Sequence, residues 1–306
     1  MIDVVAQPRC KLASQEATVG IQVLFDVQVQ PAVPWPTVWS GWVIPLRDLV
    51  SFSTWTPTAI ESVALKAVKD GSWVRLLVRT NDLRRARGMG LRPDEMALRL
   101  ADLPGGFEVA LRRWWEMCET FENTLKLAIS VLQAPFVYDE DRFVAFTRAI
   151  ESLHSTDFLA SPAAIDERDQ RVQRAIDALP GDLRDWAAPL LEESTPPIAR
   201  HRIMEVIRSL GDVGDLLAGG DVEAFAHRVI STRNYLTHPT KKLKKKALTG
   251  IDRFWHAHAL AFLVQAALLV RLGVPTGELA GRQGRQRRFA ATVSDMSGSS
   301  PHGDES

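Results

Sequence analysis

Arg233-Asn234-Tyr235-Leu236-Thr237-His238 puts a permanent cation, an amide and an imidazole within six residues. Pro239 follows directly, and then come Lys241, Lys242, Lys244, Lys245 and Lys246. RNA carries its own nucleophile, the 2′-hydroxyl. Cleaving it requires taking a proton from that hydroxyl, stabilising the charge on phosphorus, and returning a proton to the leaving 5′-oxygen. Histidine titrates near neutrality, so His238 suits the base or the acid. Arg233 stays cationic and offers a fork that matches phosphate oxygens, which suits electrostatic stabilisation. Asn234 could orient His238 or hold the phosphate. The five lysines would follow the backbone with salt-dependent, sequence-blind affinity. Such chemistry calls for no metal and no cofactor, and its products are a 2′,3′-cyclic phosphate and a 5′-hydroxyl. The plainer alternative is a helix cap with an ion pair, followed by a solvated lysine loop.

Spacing limits how these groups can meet. Each residue of an α-helix turns about 100°, so Arg233 and His238 point roughly 140° apart, whereas Asn234 and His238 share a face. Two arrangements remain open. In one, the helix stops near Thr237 and the chain swings His238 round; Pro239 favours this by disfavouring helical dihedrals at His238. In the other, a second copy of the chain completes the site.

The elements that must hold the motif fall into two kinds. Residues 19–29 alternate like a strand, and Val38–Leu46, rich in tryptophan and valine, reads as another. Ile60–Val68 and Ser72–Arg79 flank Lys69-Asp70-Gly71, a hairpin turn signal. Trp35, Trp39, Trp42, Trp55 and Trp73 are expected to fill a small β core, rather than stack bases. Asn81–Gly90 reads as a loop, and Pro104-Gly105-Gly106 as a domain boundary. Beyond it the apolar spacing is helical: Phe107–Leu132, Asp141–His154, Asp166–Leu179, Leu183–Leu191 with Pro189 inside, Ile198–Leu210, Val222–Thr237 opened by Asp221 as N-cap, and Ala247–Leu272. After Gly273 the Gly, Gln, Arg and Ser content reads as a disordered basic tail. The fold class is α+β. Residues 1–105 form a β-rich N-terminal region, 106–272 an all-α bundle, and 273–306 the tail.

Zero net charge over 306 residues hides an asymmetry. Residues 1–200 carry 22 Lys+Arg against 27 Asp+Glu, a net of −5, which leaves residues 201–306 with +5 and suggests a polyanion partner for that half. Cys10 and Cys118 have no metal-site spacing, so a reducing cytoplasm is expected. Met1-Ile2-Asp3 does not open a signal peptide, and Ala257–Val270 reads as a buried helix rather than a membrane span. Glu151 and His154, three apart on one helix face, could support the site from a neighbouring helix, or be a surface pair. His256 and His258 diverge on their helix, and His201 and His227 lack partners at metal-site spacing; no metal site is expected. The absence of phosphate-loop, G-x-S-x-G and zinc motifs disfavours ATP, serine and zinc chemistry.

Arg-Asn-x-x-x-His at a helix end resembles the motif of the HEPN superfamily of helical ribonucleases and toxins. Val229–His238 resembles the motif helix of its Apea-like family, Asp141–His154 that family's earlier helix, and Pro45–Phe52 a segment of the β-rich domain that usually precedes it. Pro239 directly after the histidine departs from the pattern, and the N-terminus reads as short, as if the chain opens part-way into the family's usual first domain. The resemblance implies an all-α HEPN bundle, RNA (tRNA included) as substrate, and homodimers or higher homo-oligomers placing two motifs at one cleft. It also implies cytoplasmic anti-phage defence by abortive infection, with the N-terminal region answering a phage-derived trigger. Two alternatives stand beside this reading: a non-catalytic helical RNA-binding or dimerisation module, and the toxin of a toxin–antitoxin pair.

Overall fold

The computed structural model describes residues 2–13, 16–67, 69–76, 95–103, 105–134, 136–158, 162–193 and 198–298. Packing divides the chain into residues 1–48 with 59–83, and residues 49–58 with 84–306. The loop expected over Asn81–Gly90 lies outside the described residues.

In the first unit, β1 (Ile2–Ala13) and β2 (Glu16–Val27) pair antiparallel, with Ile2 opposite Val27. β3 (Val63–Lys66) and β4 (Trp73–Leu76) form the second hairpin, Lys66 opposite Trp73. Its turn is as the sequence predicts: Gly71 takes φ 70°, and the Asp70 carboxylate accepts from the Ser72 N–H at 2.9 Å. The strand expected over Val38–Leu46 is instead helical. α1 (Trp35–Val38), a widened turn (Trp39–Val43) and α2 (Ile44–Thr54) run on from one to the next. Val38, Trp42, Leu46 and Leu49 recur every three to four residues, and that period outweighs the weak β preference of Trp and Val. Pro36 sits in the first turn, where a missing N–H costs nothing. The tryptophans do not fill a β core. Trp35 and Trp73 are exposed, Trp39 and Trp42 half-buried, and Trp55 belongs to the other unit.

The second unit is helical: α3 (Gly106–Thr120), α4 (Glu122–Gln133), α5 (Asp139–Asp157), α6 (Pro162–Asp177), α7 (Gly181–Glu193), α8 (Ala199–Ser209), α9 (Asp212–Leu217), α10 (Val222–Thr237), α11 (Lys241–Lys244), α12 (Gly250–Arg271), α13 (Leu279–Gln283) and α14 (Arg287–Gly298). The helix expected over Phe107–Leu132 is two, because Phe121 leaves helical dihedrals (φ −109°, ψ 31°); its apolar stripe carries on across the break. Pro189 lies within α7 without splitting it.

α12 is the central helix. It is long and apolar enough to cross a membrane, yet 78% of its most apolar window is buried inside the protein. It packs on α5, α9 and α14. α4, α8 and α10 close around α5. Phe52 and Trp55 join this core: Phe52 lies 5.5 Å from Trp114 and Trp55 stacks on Phe146 at 6.3 Å, centroid to centroid. Gly214 lets α9 approach α8, since a Cβ there would meet the Ile207 carbonyl oxygen at 2.1 Å.

The tail reading fails over residues 273–298. Leu279, Phe289 and Met296 are buried, a stripe too sparse to stand out among Gly, Gln and Arg. Phe289 meets Phe262 edge-on at 5.3 Å. The Gln283 side-chain N–H donates to the Phe262 carbonyl at 2.8 Å, and Gln283 and Gln286 both donate to the Gln265 side-chain oxygen. Three of the tail's four arginines are also committed: Arg282 pairs with Glu278, Arg285 with Asp102 and Arg287 with Glu95. Residues 299–306 lie outside the described residues.

Candidate functional site

α10 begins as predicted, with the Asp221 carboxylate accepting from the Ala224 N–H at 2.9 Å. Phe225, Ala226, Val229, Ser231 and Thr232 are its buried residues. The helix ends at Thr237. His238 caps it with φ −139° and ψ 75°, outside the helical region, and its N–H donates to the Asn234 carbonyl at 2.8 Å. Pro239 therefore acts as expected, and His238 is swung off the helix. The His238 side chain is exposed and makes no hydrogen bond among the described residues.

Arg233 is held from two sides. Its Nη2 donates to Glu151 Oε2 at 3.3 Å and its Nη1 to Asn234 Oδ1 at 3.1 Å. Glu151 comes from α5 and is 16% exposed, against 31% for the arginine side chain. The pair is not fully engaged: Glu151 Oε1 and Arg233 Nε are buried without a hydrogen-bond partner. One carboxylate arm and the Asn234 side chain thus steer the guanidinium. Arg233, Asn234 and Glu151 form one cluster; His238 joins it only through the backbone.

His154 belongs to a different contact. Its ring is fully buried, stacks on Phe158 at 4.7 Å, and donates from Nε2 to Glu205 Oε2 of α8 at 2.5 Å. Burial pushes its pKa down, against the opposing pull of Glu205. Although His154 is one turn from Glu151, the structure directs the two to different helices.

The five lysines lie on or just after α11, and all are exposed. Thr240 caps this short helix by accepting from the Leu243 N–H at 3.2 Å. The strap of residues 239–249 then returns to α10, where the Leu248 N–H donates to Thr232 Oγ1 at 2.8 Å. Sequence reasoning missed Thr232. The signal was there: it continues the apolar stripe of Phe225 and Val229, and a buried hydroxyl needs a partner.

The other histidines stay apart. His256 stacks on Phe225 at 5.3 Å and donates to the Asp252 carbonyl; His258 lies against Phe254, with Arg142 Nη1 at 3.5 Å. Burial, first of all, pushes each down to about 4, and nearby arginines add to it. His227 lines a shallow groove with Arg200, Asp221, Glu223 and Arg228. No group of three potential metal ligands occurs among the described residues.

Residues 144–278 match the family model described as Apea-like HEPN. No curated protein and no solved structure matches the chain. The matched segment runs from α5 to the turn before α13 and contains Glu151, all of α10 and the lysine strap. Over these residues the chain is similar to the Apea-like HEPN family.

Proposed function

We propose that this protein is a metal-independent endoribonuclease whose site is the C-terminal end of α10. A HEPN domain points to nuclease-type, RNA-related function; the finer reading rests on how this helix ends. The observation that carries it is the exposed His238, swung off the end of a helix whose last turns hold an arginine fixed by Glu151 and Asn234. His238 takes the 2′-hydroxyl proton or protonates the leaving 5′-oxygen, Arg233 stabilises the charged phosphorane, and the lysines hold the flanking phosphates. Two copies of the chain would each bring one such end to a shared cleft, so that base and acid come from different protomers. In this reading the protein acts in the cytoplasm in anti-phage defence, with the first unit answering a phage-derived trigger.

A second reading has its own support. Arg233 already has a carboxylate partner, which is how a purely structural arginine is held. The motif would then serve a helical module that binds RNA or a second copy without cutting.

Purified protein incubated with total RNA and tRNA in EDTA separates the two. Cleavage that persists in EDTA and is lost in Arg233→Ala and His238→Ala supports the nuclease. Cleavage retained in His238→Ala ends the catalytic assignment. An inert parent that binds RNA with the same affinity as both variants ends any role for the motif in RNA.

A further inference from the structure

The lysine strap leaves α10 at His238 and would be expected to hang free, since its lysines are exposed and α11 spans only Lys241–Lys244. It does not. The hydrogen bond that ties it back to α10 runs from the Leu248 N–H to Thr232 Oγ1 at 2.8 Å. Thr232 is fully buried and immediately precedes Arg233. Valine would fill the same space on that stripe without the cost of burying a hydroxyl, so the oxygen needs a reason. Leu248 supplies it. Its side chain packs against the core while its N–H reaches the hydroxyl.

We propose that Thr232 is the positioning residue of the strap: its hydroxyl closes residues 232–248 into a loop that holds all five lysines beside His238 before RNA arrives. This rests on the ribonuclease reading of the site. Holding the strap in advance removes an ordering cost from substrate binding, because a free segment must lose its conformational freedom when it meets the phosphates. The lysines touch flanking phosphates in ground state and transition state alike. The tether therefore acts on binding and not on the chemical step.

The test compares Thr232→Val, which keeps shape and loses the acceptor, with Thr232→Ser, which keeps the acceptor. Cleavage kinetics are measured on a fluorescein-labelled single-stranded RNA, and amide exchange at Leu248 is followed without RNA. The expected result is faster Leu248 exchange in Thr232→Val, a KM raised about five- to thirtyfold, and kcat within about twofold of the parent. Thr232→Ser should restore all three. An unchanged KM in an active Thr232→Val enzyme overturns the proposal. So does a serine variant that behaves like the valine one, because the effect would then be packing. A parent that neither binds nor cuts the RNA overturns the ribonuclease reading itself, and the proposal with it; unfolding midpoints show whether each variant is folded.

Discussion

Two arginine- and lysine-rich segments follow one another in the C-terminal third, and they end up opposite in character. The strap after α10 keeps its five lysines exposed and without ion pairs among the described residues. The segment after Gly273 has three of its four arginines taken up by acids: Arg282 by Glu278, Arg285 by Asp102 and Arg287 by Glu95. Asp102 also receives Arg99, which with Arg285 holds its carboxyl well below the usual carboxylate range. A count of basic residues gives both segments the same weight. Only pairing tells which cations remain for a polyanion.

The largest effect expected of this contrast is at the motif. His238→Ala should cut RNA cleavage by about 10²–10⁴, the usual worth of a general acid or base, with no loss of thermal stability. Replacing all five lysines by glutamine comes next. Their removal should flatten the plot of log affinity against log salt by up to about 3.5, since each phosphate neutralised on a single strand adds roughly 0.7 to the slope. The matching triple change of Arg282, Arg285 and Arg287 should leave that slope alone and lower stability instead. A slope that falls equally in both sets would abolish the distinction between free and committed cations.

Smaller effects concern stability and pH. His256 and His258 are each pushed from 6.5 down to about 4 by burial. The unfolded chain therefore binds more protons than the folded one between those values. Their contribution is complete above 6.5 and is lost as pH falls toward 4, roughly 3 kcal/mol for each histidine over the full span. Urea unfolding at pH 5.5 should give a stability about 2–3 kcal/mol below that at pH 7.5. Smallest is Asp102→Asn, which should cost about 1 kcal/mol because its partners are partly solvated. The Asp102 contribution is present above the ordinary carboxylate value of 3.8 and is lost as pH falls below it.

What could be read from the sequence follows the strength of each local signal. The Asp70-Gly71 turn, the Asp221 cap and the stop at Pro239 each rest on one or two residues with a fixed dihedral or hydrogen-bond preference, and all three are in the structure. Strand propensity misled at Val38–Leu46, where the apolar period is helical. Glu151 reaches Arg233 across to the motif helix. His154 shares its helix face, yet Glu205 fixes its direction, and a partner 51 residues away leaves no local trace. The helices after Gly273 were illegible because their burial depends on Phe262 and Gln265, residues of another helix, and not on their own composition.

That last packing arrangement has a practical side. Residues 144–278 are what the family model matches, but Phe262 and the Gln265 amide are covered by Gln283, Gln286 and Phe289, all downstream of that stretch. Upstream of it, Phe52 and Trp114 complete the same core. A fragment cut at the borders of the recognised segment would carry the whole chemical motif and lack the shell that keeps it folded.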